Sequence, residues 1–410
     1  MIKKLLLISI LLLLPGLCSG QTYLDIAAPV SGKPQLVLAP STTLSGPASP
    51  EVAKELSELF SLDLGLAGLF DVTTAGQAAP GAPLLLKSAY AVDGNSLVIE
   101  CRLLDQVLNR ELTAKRYSGS IKELRRMGHA FSDEVLRALT GEKGPFTGKI
   151  AYVTKVSGNK EIFVMDYDGF HPQRLTNNGS ININPDFSPS GREIVYTSYK
   201  KGNPDLYRRE IYTGAEARIS ARPGINAQGT YSPDGSKIAE VMSKDGNAEI
   251  YLISRDGKEL ARLTRNPAID VSPAWSPDGK KLVFVSDRLG KPQLFIMDSD
   301  GGNVRRLTTE GAYNVTPRWS PKGDRIAYAR QVPGGFQIYA INPDGTQDTE
   351  LTTSGSNEHP RWSPDGRFIV FSSTRDGGEA IYLMRADGSG QTRISRGRGP
   401  DSHPTWSTGW

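Results

Sequence analysis

Cysteine is nearly absent: two occur in 410 residues, Cys18 and Cys101. Histidine is also scarce, with four. An excess of one charge is missing too, since 48 Lys and Arg stand against 44 Asp and Glu for a net charge of +4. A nucleic-acid binder needs a far larger basic excess to neutralise phosphates, so that class is excluded. No apolar run approaches the roughly 20 residues that span a bilayer, which excludes a helical membrane protein. What remains, with 38% hydrophobic and 22% charged residues, is a folded chain long enough for two domains.

The one apolar run of note is at the start, where Lys3 and Lys4 precede Leu5–Leu14, a Pro15-Gly16 break and the small residues Cys18, Ser19 and Gly20. This order reads as a secretory signal peptide over 1–20, cleaved after Gly20, and implies export. A lipid anchor on Cys18 is the competing reading, opposed by the bulky Leu17. Cys101 then stands alone, so no internal disulfide is expected. Alternation in Leu97-Val98-Ile99-Glu100-Cys101-Arg102-Leu103 puts it on the apolar face of a strand, as a core residue rather than a reactive thiol.

An internal repeat decides the architecture. An aromatic residue followed by Ser recurs at Phe187, Tyr231, Trp275, Trp319, Trp362 and Trp406, at spacings of 44, 44, 44, 43 and 44. A second aromatic column, Phe163, Tyr207, Tyr251, Phe295, Tyr339 and Tyr382, keeps the same period, as do the turn glycines Gly169, Gly214, Gly257, Gly301, Gly345 and Gly388. Each unit reads as four short strands separated by turns such as Ser232-Pro233-Asp234-Gly235. Such a unit is a β-propeller blade. The first unit, opening at Lys149–Val153, lacks its aromatic-Ser strand, which the last one supplies. The predicted fold is therefore an all-β six-bladed propeller over 145–410, its ring closed by Asp401–Ser407 pairing with Lys149–Thr154, which covers the inner sheet edge that the first unit would otherwise leave open.

Residues 21–144 lack the repeat and read as a small α/β domain. Gln35–Ala39 is a predicted strand, and Pro50–Leu62 a helix after Ser49. The stretches 97–104 and 111–118 suggest a hairpin, and a capping box at Ser120–Glu123 opens a helix that ends at Gly141. The small residues of Gly141–Thr147 predict a protease-sensitive linker.

The stretch Arg126-Met127-Gly128-His129-Ala130-Phe131-Ser132-Asp133-Glu134-Val135, continuing through Leu139-Thr140-Gly141-Glu142-Lys143-Gly144 to Ile150-Ala151-Tyr152-Val153, resembles the TolB family of the Tol-Pal system of Gram-negative bacteria. Ser31-Gly32-Lys33-Pro34 is similar to the family's amino-terminal region. Thr408-Gly409-Trp410 departs from it, because the family commonly continues Ser-Pro there. The resemblance covers the whole chain after the signal. It implies a monomeric periplasmic scaffold without catalysis or cofactor, which docks the lipoprotein Pal on the propeller and contacts TolA through an amino-terminal segment, here Tyr23, Leu24, Asp25 and Ile26. Outer-membrane integrity and constriction at division are the implied role.

Two polar columns are candidates for partner recognition. Asn182, Asn226, Asp270, Asn314, Asn357 and Asp401 stand five residues before each aromatic, and Asn184, Gln228, Ser272, Thr316, His359 and His403 two positions later. Both fall early in the innermost strand and are expected to ring one mouth of the channel. For the first column, capping of a tight loop is an equal alternative. The second varies from blade to blade, as recognition of an asymmetric partner requires. His359 and His403 invite a metal reading, but their following prolines match the repeat, so they count as ring members and no metal is assigned. Calcium held by Asp270 and Asp401 lacks a dedicated loop. The column Arg174, Arg218, Arg262, Arg306 and Arg393, with Glu350 in the fifth unit, reads as charged protection of outer edges. The rival class, an exported hydrolase with a propeller, needs a Gly-x-Ser-x-Gly elbow that is absent, or facing carboxylates, of which the columns hold only Asp270 and Asp401.

Overall fold

A computed structural model describes residues 32–77, 81–397 and 399–409. The signal segment and Tyr23, Leu24, Asp25 and Ile26 lie outside the described residues. Among the described residues no helix is long and apolar enough to cross a membrane.

The amino-terminal unit runs β1 (Gln35–Leu38), β2 (Thr42–Ser45), α1 (Pro50–Ala67), β3 (Asp71–Thr74), β4 (Leu84–Asp93), β5 (Ser96–Asp105), β6 (Arg110–Ser120) and α2 (Leu124–Thr140). Its six strands form one sheet in the order β3-β1-β4-β5-β6, with β2 also pairing β4. The hairpin read from alternation is β5–β6, and Cys101 is buried on the apolar face of β5. Burial pushes its thiol pKa up, as a core residue requires. The capping box is formed, yet Ile121–Glu123 winds as a 3₁₀ turn, so the α-helix proper starts at Leu124. Gly128 on α2 faces Leu59 of α1, where an added Cβ would come within 2.8 Å of the leucine. Its missing side chain lets the two helices cross closely.

Each following unit is a four-stranded antiparallel sheet, and there are six. Blade 1 is composite: Asp401–Trp406 pairs with Lys149–Val156, Asp401 opposite Thr154 and Trp406 opposite Ile150. This is the closure the repeat predicts. Blades 2 to 6 begin with the innermost strands Asn182–Phe187, Asn226–Tyr231, Asp270–Trp275, Asn314–Trp319 and Asn357–Trp362. The tryptophans also tie neighbours: Trp275 Nε1 donates to the Thr230 carbonyl at 3.3 Å and Trp362 Nε1 to that of Arg318 at 3.0 Å. At Gly257, with φ +89°, a Cβ would lie 1.9 Å from the Ile219 carbonyl of the preceding blade. Only glycine fits where one blade's turn meets the next.

The connection expected to be a protease-sensitive linker is exposed at Gly141 and Glu142 but anchored by packing over its second half. Phe146 is buried, and Asp133 of α2 accepts from the Phe146 N–H at 2.8 Å, the Thr147 N–H at 3.2 Å and the Thr147 hydroxyl at 2.6 Å. One apolar core runs from Leu59, Phe131 and Leu136 through Phe146 to Tyr167, Phe368 and Trp406. The two units therefore share packing that the small residues of the connection do not reveal.

Candidate functional site

Every innermost strand carries a β-bulge, seen as a register break between Ile183 and Asp186 in blade 2 and at the matching place in the others. The bulged residues are Asn184, Gln228, Ser272, Thr316, His359 and His403, and all six have φ between +50° and +56°. Left-handed backbone is uncommon outside glycine and is an outlier for a β-branched residue such as Thr316. The proline that follows in five blades fixes the next φ and accepts the loss of a ladder N–H, which the bulge makes harmless. The result is a half-buried ring of six polar side chains of five kinds lining a cavity of about 280 Å³ at one end of the channel.

The first column behaves differently. Asn182, Asn226, Asp270, Asn314, Asn357 and Asp401 are buried, none more than 2% exposed. Asn182 donates to the Lys160 carbonyl at 2.9 Å and Asn357 to Gln337 at 2.7 Å, while Arg288 reaches Asp270 at 2.9 Å. The asparagines fasten the loop entering the innermost strand to the blade behind it, and Asp270 ties its strand to a loop of its own blade. The columns are two residues apart, yet the bulge turns one inward to the blade and the other to the channel. Asp270 and Asp401 are thus separated from the channel surface, and among the described residues no cluster of metal-ligand type is found.

Within the ring, the His359 and His403 rings stack with centroids 3.8 Å apart. Burial, helped by Lys160, holds the His359 pKa down at about 4, and burial together with His359 pushes that of His403 well below its usual value. Both imidazoles are neutral at physiological pH and offer one donor and one acceptor each. The Nδ1 atoms contact Ser372 Oγ at 3.3 Å and Ser402 Oγ at 3.0 Å. Gln228 Oε1 accepts from the Ser272 N–H at 2.8 Å, linking blades 3 and 4. Thr316 Oγ1 is buried without a hydrogen-bond partner.

Below the ring lies a second layer that sequence reading missed. Arg318 and Arg361, just before the tryptophans of blades 5 and 6, reach the channel axis, and Arg361 spans it to Asp186 of blade 2 at 3.4 Å. These residues separate the ring cavity from a wider funnel of about 330 Å³ at the opposite end, lined by Trp275, Trp319, Trp362 and the prolines of the Ser-Pro turns. Their signal was available as the position preceding each aromatic, where only blades 2, 5 and 6 carry charge.

The outer arginines are clamps as well as edge charges. Arg174, Arg218 and Arg262 reach the buried carboxylates Glu161, Asp205 and Glu249 at 3.0, 2.6 and 3.1 Å. His129 lies between Asp63 of α1, 2.9 Å from Nδ1, and Asp168 of blade 1, 3.2 Å from Nε2. Arg125 pairs with the same Asp168, and the Tyr167 hydroxyl donates to Asp63. This cluster sits between the two units, away from the channel.

Residues 136–409 match the family described as the TolB beta propeller domain, well over half of the chain. The chain is 59% identical over 211 residues to a Tol-Pal system protein TolB of Geobacter metallireducens, covering 47% of this chain and 49% of the relative. It is 57% identical over 195 residues to that of Geobacter sulfurreducens, covering 43% and 45%. It thus spans about half the length of the curated relatives it matches. The crystal structure of TolB from Acinetobacter baumannii superposes with a TM-score of 0.80 at 25% identity, over 92% of this chain and 97% of that one.

Proposed function

Because the chain belongs to the TolB family, we propose that it is a non-enzymatic periplasmic scaffold of the Tol-Pal system that receives Pal at the ring-lined mouth of its propeller and contacts TolA through the segment Tyr23–Ile26. The observation that carries the docking site is the bulge ring. Six left-handed non-glycine residues cost backbone energy in every blade, of order 1 kcal/mol or more each. A purely structural bulge would take glycine, and here five residue types occupy the six positions. Strain kept at six equivalent positions aims side chains of five kinds at one aperture, and Thr316 Oγ1 stands there without an internal partner. A docked protein offering one polar group to each satisfies both features. The absence of a nucleophile elbow from the sequence supports a scaffold over the exported hydrolase.

Calorimetry with purified Pal tests this reading. Asn184→Gly, Thr316→Gly and His359→Ala should weaken binding unequally, by roughly ten- to a hundredfold where a buried polar contact is lost. Arg306→Ala, on the outer edge, should bind as the parent does. Docking on the rim would give the reverse pattern. Removing residues 21–30 should abolish TolA binding and spare Pal.

A further inference from the structure

The waist of the channel holds more positive charge than the protein itself neutralises. Arg318 and Arg361 face it from neighbouring blades, and among the described residues lining the two cavities the one carboxylate is Asp186. Asp186 is already engaged, accepting from the Thr230 hydroxyl at 3.0 Å and the Tyr231 N–H at 3.2 Å, and Arg361 approaches its other oxygen only to 3.4 Å. Arg318 Nη1 donates to the Pro317 carbonyl at 2.8 Å, but its Nε is buried without a partner. Two guanidiniums carry ten N–H donors. One carboxylate oxygen, approached by Arg361 alone, and the two carbonyls that Arg318 meets account for few of them, and the ring cavity lies against both side chains.

We propose that Arg318 and Arg361 form a binding site for a carboxylate group at the channel waist, between the polar ring and the tryptophan funnel. Planar guanidiniums bind carboxylates through paired hydrogen bonds, and a desolvated cation pair beside a single anion favours a second anion. The cavity of about 280 Å³ that opens onto both arginines has room for a small carboxylate or for an acidic side chain reaching in from a protein at the mouth. His359 and His403 are neutral beside it, so they add hydrogen-bonding capacity without competing for the anion. Burial also lowers the Arg361 pKa, which an incoming carboxylate would relieve.

Acetate is the probe, added to the full chain at pH 7 and constant ionic strength and read by the thermal midpoint. The parent should show a saturable rise. The double variant Asp186→Asn/Arg361→Met removes both members of the cross-channel pair, leaves Arg318 as the lone guanidinium at the waist without the second one the site needs, and should show none. Asp186→Asn alone keeps a side-chain acceptor for Tyr231 but removes the internal counter-ion, and should tighten acetate binding roughly tenfold. A response shared equally by parent and double variant, or an affinity unchanged in Asp186→Asn, would overturn the site. Repeating the titration with Pal bound separates the two sources. Loss of the acetate response assigns the site to an acidic side chain of the docked protein, and persistence assigns it to a free carboxylate. The test on the protein alone does not depend on the docking reading.

Discussion

At the scale of single residues, the repeat makes exceptions visible. In five blades the second strand places an aromatic opposite the aromatic of the third: Tyr152 with Phe163, Tyr196 with Tyr207, Phe284 with Phe295, Tyr328 with Tyr339 and Phe371 with Tyr382. Blade 3 has Glu240 opposite Tyr251. Glu240 is fully buried, neither of its oxygens has a hydrogen-bond partner, and burial raises its pKa to about 8 against the weaker pull of Ser220 and Arg222. Glu240→Phe should restore the pair and stabilise the protein by about 1–3 kcal/mol. The gain depends on pH. The folded carboxyl keeps its proton until about pH 8 and the unfolded one loses it near 4.5, so the parent loses stability as pH rises between those values. Thermal denaturation should show a larger advantage for Glu240→Phe at pH 9 than at pH 5, and an equal advantage would mean that Glu240 is charged in the fold. The second-strand aromatics repeat in the sequence as plainly as those of the third strand, and Glu240 breaks the repeat. The two polar columns show the complementary difficulty: Asn182 and Asn184 are equally polar and two residues apart, and only the bulge, a backbone event without a composition of its own, separates a buried fastener from a channel residue.

At the scale of the element, the bulged innermost strand joins fold to site. It bends where the channel must be lined, and it turns one side chain per blade out of the ladder. If the left-handed conformation is retained for function, relieving it should favour stability and harm binding. Thr316→Gly is the clearest case, since threonine is β-branched, sits at φ +51° and has a buried unpartnered hydroxyl. The variant should melt no lower than the parent, with a gain of up to about 1 kcal/mol, while losing affinity for Pal. A drop in midpoint would show that Thr316 serves the fold instead. Most elements could be read beforehand because each repeats a local signal six times: turn glycines, aromatic-Ser pairs, short apolar strands. The amino-terminal unit offers each signal once. There β5 and β6 alternate cleanly and were anticipated, as was the short apolar β1, whereas β4 was missed because it opens Leu84-Leu85-Leu86 without alternation, and β2 and β3 because neither buries an apolar face.

At the scale of the whole molecule, two long-range connections hold the chain together, and each predicts a distinct failure. Closure of the ring rests on Asp401–Trp406 and on the Ser407 hydroxyl accepting from the Lys149 N–H at 2.8 Å. Deleting 401–410 exposes the edge of Lys149–Val156 and should lower both thermal midpoint and solubility. The junction between the units rests on the shared apolar core and on His129, which bridges Asp63 and Asp168. Burial, the largest influence on that ring, opposes its charge, but the two aspartates prevail and raise its pKa to about 10. His129→Gln would strand two buried carboxylates, with Arg125 and Tyr167 as their remaining partners, and should cost about 3–5 kcal/mol. The unfolded ring titrates near 6.5, so the protonated bridge stabilises the fold in full below that pH and loses its contribution as pH rises through about 10. Scanning calorimetry should therefore find one shared transition for both units in the parent at pH 6, and a deficit for His129→Gln that shrinks steadily toward pH 10. A deficit of constant size across that window would mean that the imidazole is neutral in the fold and joins the units as a hydrogen-bonding group alone.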